Sequence, residues 1–289
     1  MTCTHTPAAC GIAPLPHLGI ISATGADAIA FLHGQLTQDI VHLAPGASAP
    51  AALCNPKGRV LASMHALRVG EEELLLIISA DVLEATLTRL RRYVLRAKVQ
   101  LADASSAWKL RGLLGEAAEA AAGAYIIPLP PANGTPRALW VGNADAAEPA
   151  GTPLDTAAWL LAEVGSGAAR VGAAISGAFV PQMLCYESLG VLNFNKGCYP
   201  GQEVVARSQY RGAIKRRAFV AHTPGEAHAG DEVLDAAGNS AGTIAQAAPA
   251  PGGGSALIAV LALDAVQQPL TVRGAPLLDI KGIHSSPAT

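Results

Sequence analysis

The C-terminal part of this 289-residue chain consists of short apolar runs, with glycine and proline between several of them. Short runs of this kind, bounded by turn residues, are typical of β-strands. Because six of them follow one another without a helical pattern between them, they predict a small β-barrel. The six runs are 218–222, 232–235, 243–247, 257–263, 270–273 and 277–280.

Residues 16–103 predict a first α/β unit. A short strand at 18–22 leads into a helix that is predicted to end at 37–39. The alternating run 59–69 and the apolar run 73–79 predict a hairpin. A helix with one apolar face is predicted over 81–94.

Residues 104–215 predict a second α/β unit. Its predicted elements are strands at 108–114, 124–127 and 138–142, an alanine-rich helix at 116–122, and a helix at 156–164 capped by Asp155 or Thr156. We expect residues 1–15 to be a disordered N-terminus and 216–289 to form the barrel. The predicted fold class is therefore α+β, with two α/β units followed by a β-barrel.

Composition excludes several classes of protein. Half of the residues are hydrophobic, but apolar runs such as 256–263 are too short to span a bilayer, and residues 1–15 lack a basic and apolar leader pattern. We therefore expect a soluble, cytoplasmic protein without a membrane partner. The net charge of −2 gives no overall electrostatic reason to bind nucleic acid, so direct binding of nucleic acid is not expected.

The cysteines predict neither a disulfide framework nor a metal site. They are five in number, at irregular spacing, and no C-x-x-C pair occurs. Cys3, His5 and Cys10 could be drawn as metal ligands, but they lie in the segment expected to be disordered, so no metal site is predicted. The sequence also lacks the P-loop, H-E-x-x-H and G-x-S-x-G motifs.

Residues 193–217, here called the basic segment, carry six of the chain's 20 Lys and Arg residues and one acid, Glu203. Cys198 lies there in a turn-forming Lys-Gly-Cys-Tyr-Pro-Gly sequence. Nearby positive charge, with Lys196 closest in sequence, favours a thiolate over a thiol. One interpretation is an exposed, reactive Cys198 activated by Lys196. The other is a small buried packing residue, and spacing does not decide between them.

The sequence KGCYPGQEVVAR followed by RGAIKRR, within the basic segment, resembles the signature of the YgfZ-type folate-binding proteins. These are relatives of the glycine-cleavage T-protein, an aminomethyltransferase, and are linked to iron–sulfur cluster assembly or repair. TGADAIAFLHGQLTQDI and LTVRGAP also resemble this superfamily. The resemblance implies two ferredoxin-like α/β units and a small β-barrel around a central folate channel, with Cys198 at its mouth.

The resemblance also implies the ligand and the partners. The ligand is tetrahydrofolate or a derivative, and the partners are iron–sulfur proteins or their assembly factors. Through these partners the protein would affect iron–sulfur-dependent tRNA modification. The implied folate contacts are Gln38, Asp39, Asn55, Tyr199, Gln202, Glu203, Arg207, Arg211, Lys215 and Arg216. The last four are basic candidates for the glutamate tail, since arginine pairs well with carboxylates. Relatives often carry a Glu near the position of Arg170, so a folate contact through that Glu is in doubt.

The same comparison argues against aminomethyltransferase activity. The T-protein motif N-x-x-G-G-x-x-D-D corresponds here to 55–63, and its two Asp positions hold Ala62 and Ser63. Neither residue can serve as a base or a charged clamp at neutral pH. Two alternatives stay open: a folate-dependent one-carbon transferase that uses another carboxylate, and an RNA-binding module that uses the basic segment with Tyr199 and Tyr210.

Overall fold

A computed structural model describes residues 10–115 and 124–283. The predicted helix at 116–122, and Cys3 and His5, lie outside these residues. Within these ranges the fold has three antiparallel sheets and four α-helices. This mixed α/β architecture agrees with the predicted fold class, and strands outweigh helices in it. No helix in the described ranges is long and apolar enough to cross a membrane.

The first sheet has five strands in the order β3-β4-β5-β2-β6. Its elements are β2 Leu18–Thr24, α1 Ala28–His33, β3 Ser48–Cys54, β4 Val60–Arg68, β5 Glu73–Ser79, α2 Ala80–Arg91 and β6 Gln100–Asp103. Both helices pack on one face of this sheet, around a core that contains Leu32, Ile78 and Leu87. The alternation along β4 buries one face, as the sequence predicts.

The second sheet has four strands in the order β1-β7-β9-β8. They are β1 Gly11–Pro14, β7 Trp108–Leu114, β8 Ala124–Ala132 and β9 Thr135–Asn143. Helix α3, Thr156–Gly165, packs against this sheet through Trp159, and a side chain at Gly112 would collide with that ring. The Asp155 side chain caps α3 by accepting a hydrogen bond from the amide of Ala158 at 2.7 Å, which confirms the predicted cap.

The third sheet has seven strands in the order β15-β14-β11-β12-β13-β10-β16. They are β10 Arg216–Thr223, β11 Glu232–Leu234, β12 Ser240–Pro249, β13 Ser255–Ala262, β14 Thr271–Val272, β15 Ala275–Pro276 and β16 Leu278–Gly282. All six predicted runs fall on strands of this sheet, and β15 is an additional two-residue strand.

Three segments differ from the sequence-based expectation. Strand β1 lies inside the segment 1–15, which was expected to be disordered, and it pairs with β7 of the second sheet. Helix α1 ends at His33 rather than near Asp39, because Leu36 leaves the helix to pair with Leu53. A fourth helix, α4 (Gln202–Tyr210), was not predicted.

The division of the chain into domains, the ferredoxin-like units and the closure of a barrel stay predictions.

Candidate functional site

The best candidate for a ligand site is a cavity of about 330 Å³, here called the central cavity. Its walls come from the first sheet, from β8 and β9, from α3, and from the loops that follow α3. Most of the wall is apolar, as is typical of small-molecule sites. The polar residues in the wall are Ser63, His65, Ser79, Arg137, Glu163, Arg170 and Tyr186.

Glu163 is a buried carboxylate in this wall. Its Oε1 accepts a hydrogen bond from Trp159 Nε1 at 3.1 Å, and its Oε2 accepts one from Gln246 Nε2 at 2.9 Å. Burial by itself raises the pKa of the Glu163 carboxyl. The neighbouring His17 and the charges of Arg170 and Arg137 outweigh burial and hold that pKa at about 2. Glu163 is therefore a fixed negative charge at neutral pH.

Arg137 on β9 is 7% exposed and lines the central cavity. Nε donates to the carbonyl oxygen of Pro130 at 3.1 Å, and the guanidinium lies 5.1 Å from the centre of the Trp159 ring. Burial lowers the pKa of Arg137 to about 10, with Glu163 opposing that shift. The group stays charged at neutral pH, and the Trp159 ring stabilises it.

His65 on β4 also lines the central cavity. Burial, followed by the charge of Arg137, lowers the pKa of His65 to about 4, although Glu163 pulls in the other direction. His65 is therefore a neutral imidazole at physiological pH, with one donor and one acceptor nitrogen.

Ser63 and Arg170 hold the wall together. Ser63 Oγ accepts a hydrogen bond from the amide of Val171 at 2.9 Å. Arg170 Nη1 donates to Ser79 Oγ at 2.5 Å, and its Nε lies 3.6 Å from Glu163 Oε2. Ala62, at the other aspartate position of the T-protein motif, is fully buried in the core of the first sheet. Neither Ala62 nor Ser63 supplies a carboxylate to the cavity.

The Cys198 loop lies beside the C-terminal end of α1. Lys196 is 9% exposed, and its Nζ donates to the carbonyl oxygens of His33 at 2.6 Å and Leu36 at 2.9 Å. Burial lowers the pKa of Lys196 to about 8, although the nearby Asp39 and Cys198 raise it. The Lys196 ammonium also lies 5.0 Å from the centre of the Tyr199 ring.

Burial separates Cys198 from the core cysteines. Cys198 is exposed, whereas Cys54 and Cys185 are buried. Burial raises the pKa of Cys54 to about 12 and also raises that of Cys185. Cys198 is therefore more accessible than either core cysteine. In the described ranges, no three His, Cys, Asp or Glu side chains are grouped in a way that could hold a metal ion.

The predicted contacts before the basic segment take part in local structure. Gln38 Nε2 donates to the carbonyl oxygens of Gly190 at 2.7 Å and Pro50 at 3.3 Å. Asp39 pairs with His42 at 2.8 Å. Asn55 Oδ1 accepts hydrogen bonds from two amides of its own turn. Because Pro50 lines the central cavity, Gln38 is hydrogen-bonded to a residue of the cavity wall.

The predicted contacts within the basic segment lie around α4. Tyr199 is buried, Gln202 begins the helix, and Glu203 pairs with Arg207 at 2.6 Å on its exposed side. Arg211 and Lys215 are exposed, and Arg216 Nη2 lies 3.4 Å from the carbonyl oxygen of Ser240. The cavity wall, as far as the described residues define it, contains none of the twelve predicted site residues.

Sequence reasoning missed Glu163, Arg137 and His65. One signal was available, since Glu163 is the single acid of the otherwise apolar helix TAAWLLAEVG. A lone acid on a buried helix face indicates a paired or functional carboxylate. His65 lies on β4 and Arg137 on β9, and the sequences of these strands give no comparable signal.

The comparisons with known proteins first define a class. Residues 2–126 match the family described as GCVT N-terminal domain. The crystal structure of glycine cleavage system aminomethyltransferase T from Bartonella henselae superposes with a TM-score of 0.70, covering 96% of this chain and 87% of that one at 17% identity. The fold is therefore that of the GcvT-like proteins.

The sequence relatives narrow the class. The chain is 31% identical over 273 residues to the tRNA-modifying protein YgfZ of Edwardsiella ictaluri, covering 84% of this chain and 82% of the relative. It is 33% identical over 236 residues to an uncharacterized protein of Haemophilus influenzae, covering 79% and 81% respectively. The chain belongs to the YgfZ family, which confirms the resemblance seen in the basic segment.

Proposed function

We propose that this protein is a cytoplasmic, tetrahydrofolate-binding accessory protein that supports iron–sulfur cluster assembly or repair, and through it iron–sulfur-dependent tRNA modification. Curated relatives carry the name tRNA-modifying protein YgfZ, which supports the last part. The central cavity is the proposed folate site. The finer arrangement belongs to the same proposal: two ferredoxin-like units and a barrel around a folate channel, with domains at 16–103, 104–215 and 216–289.

One observation carries the folate site. Arg137 lines an otherwise largely apolar cavity with a buried, charged guanidinium, and its Nη1 has no acceptor within hydrogen-bond distance among the described residues. A partly apolar heterocycle with oxygen acceptors suits such a wall. The apolar side chains would bury the ring, while Arg137 and the neutral His65 would hold its polar edge. Bound tetrahydrofolate would supply a carrier for one-carbon units.

Cys198 is the proposed reactive group, with Lys196 as its activator. Its exposure supports this role, as does the position of Lys196 two residues away in the same loop. The thiol could supply one ligand during cluster transfer, act as a nucleophile or respond to oxidation. A cluster needs about four ligands, so the partner iron–sulfur protein or assembly factor would provide the others.

A deletion strain tests the cellular part of the proposal. Loss of the gene should lower the activity of iron–sulfur enzymes and the level of iron–sulfur-dependent tRNA modification. The wild-type gene should restore both, and a Cys198→Ser gene should restore neither, although the variant protein folds and binds tetrahydrofolate. Full iron–sulfur enzyme activity in the deletion strain would contradict the accessory role.

Glu163 keeps a second candidate function open, a folate-dependent one-carbon transferase. Among the residues that line the central cavity, Glu163 is the one carboxylate. Its low pKa prevents it from donating a proton at neutral pH, but a fixed negative charge could stabilise positive charge on a bound amine. The test is whether the wild type forms methylene-tetrahydrofolate from an aminomethyl donor at a rate above background. Such activity, if Glu163→Gln abolished it, would favour the transferase.

A further inference from the structure

Arg137 is a buried cation whose hydrogen bonding is incomplete. Its Nε donates to Pro130, but Nη1 has no acceptor in the described part of the chain and no contact with solvent. An arginine has five N–H donors, and a buried donor left without an acceptor is destabilising. The guanidinium is therefore short of acceptors, and a ligand oxygen in the cavity would supply one.

Glu163 does not fill this role. It is close enough to raise the pKa of Arg137, but its two oxygens accept hydrogen bonds from Trp159 and Gln246 instead. Arg137 is thus held by the Trp159 ring and one carbonyl oxygen, and its Nη1 has no acceptor among the described residues. The free nitrogen belongs to a residue of the cavity wall.

The charges in the wall favour an electron-rich partner. Arg137 and Arg170 carry two positive charges, Glu163 carries one negative charge, and His65 is neutral at physiological pH. The excess of one positive charge attracts an oxygen with full or partial negative charge.

We propose that the Arg137 guanidinium is the anchor that binds an acceptor oxygen of the cavity's ligand, and that this contact selects ligands that present such an oxygen. The inference rests on the proposed function, in which the ligand is a reduced folate. Folate offers the oxygen from two sources, the carbonyl group of the pterin ring and the carboxylates of the glutamate tail. A purely structural Arg137, held in place only to stack on Trp159, is the competing explanation.

Isothermal titration with 5-formyltetrahydrofolate tests the anchor. Arg137→Met keeps an apolar side chain of similar length and removes the donor, so affinity should fall about 10- to 100-fold, the range of a hydrogen bond to a charged group. Arg137→Lys keeps the positive charge but lacks the planar set of guanidinium donors, so it should recover only part of the affinity. Arg111→Met is the control, because Arg111 pairs with Glu148 outside the cavity. Circular dichroism and thermal unfolding check that each variant is folded.

Two fragments separate the sources of the oxygen. If the pterin carbonyl is the partner, Arg137→Met should lower the affinity for 6-hydroxymethylpterin and leave the affinity for p-aminobenzoylglutamate unchanged. The reverse pattern would identify a carboxylate of the glutamate tail as the partner. Equal affinity of folded Arg137→Met and wild type for 5-formyltetrahydrofolate would overturn the anchor and leave the proposed function standing. If the wild type itself does not bind the folate, both are overturned. Should Arg137→Met not fold, full affinity of Arg137→Lys overturns the anchor.

Discussion

At the scale of single residues, burial makes one cysteine of the described chain chemically different from two others. Cys198 is exposed beside Lys196, whereas Cys54 and Cys185 are buried and their pKa values are raised. Iodoacetamide at pH 7, followed by peptide mass spectrometry, should therefore modify Cys198 at least about ten times faster than either buried cysteine. Equal rates for Cys198 and Cys185 would identify Cys198 as a packing residue.

Lys196 should account for part of this reactivity. Its ammonium is buried against α1, so Lys196→Met removes a positive charge near the thiol, and the alkylation rate of Cys198 should fall. Lys109→Met is the matched control, because the Lys109 ammonium donates to the carbonyl oxygen of Ala146 beside the second sheet, and it should leave the rate unchanged.

His65 should make stability depend on pH. Its folded-state pKa of about 4 lies below the usual 6.5, so the unfolded chain binds more protons between these values. The free energy of unfolding should then be fully retained above pH 6.5 and fall as the pH drops toward 4, by up to about 1.4 kcal/mol per pH unit from this residue. Urea titrations across this range measure the slope. His65→Gln should show a smaller slope, and an unchanged slope would show that His65 is not the group responsible.

At the scale of elements, Gly201 fixes how α4 meets the first sheet. It precedes α4 with φ +84°, and a Cβ there would lie 2.4 Å from the carbonyl oxygen of Asn55. Gly201→Ala should therefore lower the free energy of unfolding by about 2 kcal/mol or more, since backbone strain and a collision with backbone act together. Gly238→Ala is the control, because Gly238 has φ +82° but open space around its Cβ position, and its cost should stay near 1 kcal/mol. Equal costs would contradict the tight contact.

Elements with a strong local pattern could be predicted from the sequence. The alternation of β4, the capped helix α3 and the strands of the third sheet all follow from residues close together in the chain. Helix α4 was missed because only Val205 in it is buried, so it has no apolar stripe. The central cavity could not be predicted, because its wall combines segments that lie far apart in the sequence.

At the scale of the whole molecule, the central cavity draws its wall from the first two sheets, from α3 and from the loops between α3 and α4. A ligand bound there would contact several parts of the chain at once and stabilise their arrangement. Folate binding and the interaction with an iron–sulfur partner can therefore be tested separately, because the first is proposed for the central cavity and the second for the exposed Cys198.

The most direct test of the central claim is a calorimetric titration of the full chain with tetrahydrofolate, under reducing conditions, for the wild type and two variants. Ala168→Phe places a ring in the cavity wall, and Ala144→Phe adds the same ring at an exposed position after β9. We expect one saturable site in the wild type and in Ala144→Phe, and binding at least about ten times weaker in folded Ala168→Phe, because the ring occupies space that the ligand needs. No binding to the wild type, or equal binding by all three proteins, would contradict a folate site in the central cavity.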